Sequence, residues 1–307
     1  MRALVDRYLS IRRAAGYKLE KTGWRLERFV QFAEARREVH IHTSTAVAWA
    51  ATARSVHGRH IRLRELILFA QFARAEDAAH EIPSIGVFPN TWRRRPPHVY
   101  SESEISDILR LAGEVEPHGS QRPATYQTLF ALLAVTGMRI LEALDLRIGD
   151  VSDGGLTIRE TKFRKSRWLP VHATTNSALS AYRERWRLDA PNEAPLFTSG
   201  KGQPIHYWQA SRVFLQVTRA AGIRPPAGSF VGPRRDARIH DLRHTFAVRV
   251  LETAPTSKGP VDRHMLALST YLGHTFPRYT YEYLHMTPQL LAGIADACEA
   301  LDVRGSK

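Results

Sequence analysis

The sequence predicts a mainly α-helical protein in two parts: a small helical part at the amino end, and a larger, mostly helical part carrying one small antiparallel β-sheet. Three observations predict this. Apolar residues recur at three- and four-residue spacing through most of the 307 residues. A proline-rich stretch, IPSIGVFPNTWRRRPPHVY over 82–100, interrupts that spacing. Two short β-rich runs, LTIRE and RWLPVH, flank the polar stretch TKFRKS as a hairpin would.

In the first part, Leu4, Tyr8, Leu9 and Ile11 mark one apolar face before Gly16. Trp24, Leu26, Phe29, Val30 and Phe32 mark a second. A third short helix starts at an N-cap, Thr43 or Ser44, and runs through Val47 and Trp49. Ile61, Leu63, Leu66, Ile67, Phe69 and Phe72 give the fourth. Prolines 83, 89, 96 and 97 then break and stiffen the chain, placing one domain at 1–88, a basic linker at 89–98 and a second domain at 99–307.

The second domain opens with SESEISDILRLAG, where Ser101 is the N-cap and Glu104 completes a capping box. Helix is expected to continue through TYQTLFALLAVTGMRILEALDLRIGDV. After the hairpin, helix is expected over 174–188, 206–221, 240–253, 262–272 and 288–301. No internal repeat or low-complexity segment interrupts the pattern.

Composition narrows the function. Hydrophobic residues at 43% and charged residues at 24% suit a folded soluble protein. No apolar run reaches the ~18–20 residues a membrane span needs, and MRALVDRYLS lacks a signal peptide's apolar stretch, so a cytoplasmic location is expected. The single cysteine, Cys298, removes a disulfide framework and a CxxC zinc site. The net charge is +14, and 37 of the 44 basic residues are Arg, whose planar fork matches phosphate oxygens. Residues 1–98 hold 18 basic and 9 acidic residues and so carry most of the excess. A basic helical domain tied by a basic linker (Arg93, Arg94, Arg95) to a larger one suggests a clamp around a polyanion, although such a run is also what a solvated linker contains.

Three segments concentrate chemistry. In IHDLRHTFAVRVL, His240 and His244 share one helical face with Arg243 beside them. A metal site of the HExxH kind is one reading. Against it, Asp241 is a methylene shorter than the Glu that serves as base there, and Arg243 would set a fixed positive charge near a dication. A packing role for the histidines is a second reading. The third is that His240 and Arg243, three apart, face a phosphate, Arg giving bidentate bonds and His exchanging a proton near neutral pH. In TGMRILEALDL, Gly137 ends one apolar helix, Arg139 opens the next and Glu142 follows three residues on; a surface ion pair would look the same. In YLGHTFPRYTYEYLH, His274 precedes Tyr279, Tyr281 and Tyr283, a density that core packing also produces.

The order of these segments along the chain resembles the tyrosine recombinase, or integrase, family of site-specific DNA recombinases. TGMRILEALDL is similar to that family's first arginine box, with Arg139 and its acidic companion Glu142. HDLRHTFA is similar to the second, with His240 and Arg243. LGH matches the third histidine position at His274, and YEYLH matches the nucleophile segment at Tyr283. TKFRKSRWLPVH is similar to the β-turn lysine segment, with Lys162 the matching lysine and Lys165 the fallback. Two stretches depart from the pattern: GSFVGPRRDARIHDL is longer and more basic than expected, and TAPTSKGPVDRH lengthens the connection to the LGH helix. Spacing from His274 and the following Leu-His favour Tyr283 over Tyr279 and Tyr281.

The resemblance implies the tyrosine recombinase fold, with 1–88 as a DNA core-binding domain and 99–307 as the catalytic domain. It implies attack by Tyr283 on a phosphodiester to give a 3′-phosphotyrosine and a free 5′-hydroxyl. Arg139 and Arg243 would clamp the non-bridging oxygens, Lys162 protonate the leaving oxygen, His240 accept or tune the tyrosine proton, and His274 bond the phosphoryl group. Glu142 would orient Arg139. No metal or nucleotide cofactor is expected, consistent with the lack of a GxxxxGK[ST] loop. The implied partners are double-stranded DNA, other copies of the chain in a tetramer on DNA, and possible partner recombinases, with nucleoid association and integration or transposition as tasks. Arg93, Arg94, Arg95, Arg164 and Lys165 are candidate DNA contacts. The 288–301 segment would dock on its own domain or on a neighbouring protomer. Two alternatives stand beside this: an accessory DNA-binding protein of the same fold, and a metal-dependent nuclease using HDLRH.

Overall fold

A computed structural model describes residues 1–91, 96–159, 166–200, 202–226, 237–253, 261–274, 276, 278–281 and 283. The chain divides into two units, Met1–Arg94 and Arg95–Lys307.

Among the described residues, the first unit contains α1 (Arg2–Ala14), α2 (Glu20–Glu34), α3 (Thr43–Ala51) and α4 (Val56–Glu76). Their buried faces follow helical spacing: Val5, Tyr8 and Leu9 from α1, Leu26, Phe29 and Val30 from α2, Trp49 from α3, and Leu63, Leu66 and Phe69 from α4. Edge-on aromatic pairs fix their register, Tyr8 on Phe69 at 5.6 Å and Phe29 on Trp49 at 5.4 Å between centroids. Ile11 and Trp24, expected on these faces, are instead exposed. Ile11 is turned from the Val5–Leu9 stripe, and Trp24 lies one residue past the buried Gly23, with the Arg28 guanidinium over its ring. The start of α3 is also corrected. His42 is the N-cap residue and makes no side-chain cap bond; the Glu81 carboxylate accepts from the Thr43 N–H at 2.7 Å instead. A distant acid thus satisfies a donor that a local hydroxyl was expected to take.

The second unit begins with α5 (Glu102–Ala112), whose Ser101–Glu104 capping box is present as expected. α6 (Gln121–Thr136) runs through its core: Leu129, Phe130, Leu132 and Leu133 are buried, and Phe130 meets Phe214 edge-on at 5.1 Å. α7 (Ile140–Leu144) follows after a turn. The helix expected to continue through residue 151 stops here. Ile148–Asp150 form a 3-10 turn held by the buried Asp150, which accepts from the Arg147 N–H and the Arg159 side chain. Val151–Ser152 then form a strand, β1, not foreseen from the sequence.

β1, β2 (Gly155–Ile158) and β3 (Arg167–Pro170) make an antiparallel sheet in that order, with Leu156 opposite Leu169 and Ile158 opposite Arg167. Leu156, Ile158 and Leu169 enter the core while Trp168 faces out. The remaining elements are α8 (Ala173–Trp186), α9 (Tyr207–Ala220), α10 (Asp241–Glu252), α11 (Val261–Leu272) and α12 (Arg278–Tyr281). The first four match the expected helices to within a few residues; the helix expected over 288–301 lies outside the described residues. Among the described residues no helix is long and apolar enough to cross a membrane.

Candidate active site

The site is assembled where α6, α10 and α11 end or begin. Gly137 terminates α6 with φ +60°, and a Cβ there would lie 2.4 Å from the Phe246 ring. Only glycine fits that combination of left-handed backbone and close approach. The turn delivers Arg139 to the residue before α7, where its backbone N–H donates to Glu142 Oε2 at 3.1 Å and its guanidinium to Oε1 at 2.7 Å. The other arm of Arg139 donates to the Gly273 carbonyl at 3.3 Å. Its side chain remains about one-third exposed (35%), so the group is pinned yet open on one side.

Arg243, in the first turn of α10, is buried. It donates to the Gly137 carbonyl and to the Leu272 carbonyl, each at 2.9 Å, tying the end of α6 to the end of α11. His240 sits directly before α10, its ring edge-on to His244 at 5.1 Å. The Asp241 carboxylate accepts from the Arg238 N–H at 2.9 Å, and so is engaged with the backbone ahead of the helix. No group of three or more His, Cys, Asp or Glu able to hold a metal ion occurs among the described residues.

After α11, Gly273 takes φ +67° and sets His274, whose Nδ1 is 2.7 Å from the Thr280 hydroxyl. The Tyr283 ring meets two imidazoles, stacked on His274 at 6.0 Å and edge-on to His244 at 5.4 Å. Tyr283 is 3% exposed and packs with Ala247, Leu251, Met265, Leu268 and Leu272. Tyr279 and Tyr281 are 38% and 45% exposed, and Tyr279 meets His274 edge-on at 6.3 Å and Phe276 at 6.1 Å.

The charges act together. Burial brings Arg243 down to about 10, reinforced by Arg139 and opposed by the Tyr283 hydroxyl and Glu142, so it stays cationic at neutral pH. Burial lowers His274 to about 3, with Arg243, Arg139 and Arg167 adding to the effect. His240 is also lowered, by burial first and then Arg243. Both histidines are therefore neutral near pH 7. Burial pushes Glu142 upward, but the bonds and charges of Arg167 and Arg139 overcome it and hold the carboxyl at about 2.

The structure thus gathers Arg139, Glu142, His240, Arg243, His274 and Tyr283 into one cluster of polar groups. Lys162, Arg164 and Lys165, and the linker residues Arg93, Arg94 and Arg95, lie outside the described residues. One member was not foreseen. Arg167 donates both arms to Glu142, at 3.2 and 2.8 Å, and its Nε to the Tyr271 carbonyl at 3.1 Å. The signal was present: Arg167 alternates with Leu169 on the inward face of β3, where an arginine requires a partner. His244 and Thr280, which touch Tyr283 and His274, were likewise not singled out for these contacts.

Known proteins share this chain's sequence pattern and fold. Residues 99–289 match the model of the phage integrase family. Two Sinorhizobium fredii proteins named as integrase/recombinase are similar: y4rB at 36% identity over 94% of this chain and 94% of its own, and y4rE at 32% over 95% and 94%. The tyrosine recombinase XerD of Mycobacterium tuberculosis is 30% identical over 73% of this chain and 69% of its own. Among solved structures, XerH recombinase bound to its difH substrate aligns with TM-score 0.63 at 19% identity, over 91% of this chain and 78% of that one. A λ integrase dimer bound to a core site also gives 0.63, at 18% identity, over 92% and 94%. These likenesses in fold, together with the sequence relatives, show that the chain belongs to the phage integrase family of tyrosine recombinases.

Proposed function

We propose that this protein cleaves and rejoins DNA at specific sites through a covalent 3′-phosphotyrosine, without metal or ATP. The observation that carries the reading is the seating of Tyr283 against His274 and beside Arg243, with Arg139 opening onto the same place. Two guanidiniums supply fixed donors where negative charge develops on the phosphorane, the stabilisation a phosphodiester most needs. The Tyr283 oxygen attacks phosphorus and the bond to the 5′ oxygen breaks. Lys162 of the hairpin gives that oxygen its proton, with Lys165 as the fallback. His240, neutral because buried beside Arg243, accepts the phenolic proton, and neutral His274 hydrogen-bonds the phosphoryl group.

In this reading residues 1–88 form the DNA core-binding domain, 89–98 a basic linker and 99–307 the catalytic domain. Arg93, Arg94, Arg95, Arg164 and Lys165 contact phosphates, and the copies assemble as a tetramer on DNA, with 288–301 as a docking segment. Relatives named as integrase/recombinase, and a solved λ integrase tetramer bound to a Holliday junction, support this assignment.

Covalent trapping tests it. Nicked duplexes cut from DNA flanking the gene are incubated with the wild type and with Tyr283→Phe in EDTA and run on denaturing gels. An adduct from the wild type, lost in Tyr283→Phe while DNA binding persists, is expected. An adduct surviving in Tyr283→Phe moves the nucleophile to Tyr281 or Tyr279. Binding without any adduct favours the accessory-protein reading. Cleavage only after divalent metal is restored would sink the mechanism in favour of a nuclease built on HDLRH.

A further inference from the structure

Arg167 stands at the join of three elements. It is the first residue of β3, the strand that leaves the hairpin carrying the Lys162 segment. Both its terminal nitrogens reach Glu142, in the first turn of α7, and its Nε reaches the Tyr271 carbonyl near the end of α11. Its guanidinium also lies 2.7 Å from where a Cβ on Gly273 would stand, so it packs against the turn that presents His274. Its side chain is 15% exposed and that of Glu142 is 8% exposed. With so little of either side chain open to water, breaking the pair by removing one partner is costly, and the pair holds a fixed geometry.

We propose that Arg167 is a positioning residue that locks the hairpin strand β3 to the helix start presenting Arg139 and to the turn presenting His274, so that hairpin and phosphate-binding groups hold one register. Glu142 is the shared anchor: Arg139 and Arg167 both bond its two oxygens, so a shift of β3 is passed to Arg139 through one carboxylate. A lysine could keep the charge near Glu142 but could not reach Glu142 and the Tyr271 carbonyl together in this forked geometry. The catalytic consequence rests on the recombinase reading; the structural one does not.

Two measurements on the full-length protein separate them. The first uses no DNA: hydrogen exchange by mass spectrometry on the wild type and Arg167→Met. The His274 and Gly273 amides are bonded to Ser269 and Thr270 carbonyls, and the Ala143 amide to the Arg139 carbonyl. Exchange over 140–144 and 270–274 is expected to quicken about tenfold, with α5 unchanged. No change, or a rise equally large in α5, overturns the proposal, the latter because it marks a general loss of stability. The second follows adduct formation on the nicked flank duplexes at saturating DNA. Arg167→Met is expected to lower the rate about a hundredfold with little change in DNA affinity. Arg167→Lys is expected to restore less than tenfold of that. Combining Arg167→Met with Glu142→Gln should cost little more than the worse single change. An unchanged rate, a loss wholly in affinity, or full rescue by lysine overturns the proposal. Absence of any wild-type adduct overturns the recombinase reading alone, and the exchange result still decides the role of Arg167.

Discussion

The buried Arg243 guanidinium donates to the Gly137 carbonyl at 2.9 Å, so the glycine that ends α6 also holds an arginine of the site. Gly137→Ala would force a left-handed alanine and drive its methyl into the Phe246 ring. A loss of about 3 kcal/mol is expected, the sum of backbone strain and overpacking. Urea unfolding checks it, and a loss below about 1 kcal/mol would show that the turn relaxes at little cost.

Arg243 makes two carbonyl bonds from one planar group, which a lysine ammonium cannot reproduce at the same two points. Arg243→Lys is expected to lower the rate of adduct formation about a hundredfold or more, with little change in DNA affinity. Rates at saturating DNA and equilibrium binding, measured on the same duplex, separate these effects. A near-normal rate would place the arginine outside the chemistry.

His274 is depressed to about 3 from an ordinary value of 6.5. The unfolded chain therefore binds a proton that the folded chain refuses between these values. Stability from this group is complete above about pH 6.5 and falls as pH drops toward 3. Between pH 7.5 and 5.5 the wild type is expected to lose about 1 kcal/mol more than His274→Gln, judged from one proton's linkage. Parallel slopes in urea titrations of the two proteins would remove His274 as the source. The subtraction is needed because His240 and, in the first unit, His80 are also lowered by burial and tilt the curve the same way.

Glu142 runs on a separate, more acidic limb. Held at about 2 against 4.5, it contributes stability that is present above about pH 4.5 and lost as pH falls toward 2. Glu142→Gln is expected to cost about 3 kcal/mol at neutral pH, because Arg139 and Arg167 lose a shared counter-charge in a site with little water. The same variant should flatten the acid limb. An unfolding curve that keeps its slope between pH 4.5 and 2 would assign that limb to another carboxylate.

Much of this was legible in the sequence, and for a definable reason. Helical spacing of Leu63, Leu66 and Phe69, the Ser101–Glu104 box and the punctuation at Gly137 are local rules, acting over one to three turns. The reactive types also stood out, because Arg139, His240, Arg243, His274 and Tyr283 recur in a family order that a linear string displays. Local rules failed where a distant group took over: Glu81 caps the helix at Thr43 from 38 positions away.

The sequence by itself determined most of the helices and the chemical types available to a site, since propensity, capping and chemical type belong to residues and their near neighbours. Only the tertiary structure decided that Tyr283 rather than Tyr279 or Tyr281 meets both His244 and His274, and that Arg167 shares Glu142 with Arg139. The His244–Tyr283 contact and the Arg167–Glu142 pair, 25 positions apart, depend on elements brought together by packing, as do the Arg243 bonds that join α6, α10 and α11. No spacing along the chain encodes such contacts, because burial and partner geometry exist only once the helices have met.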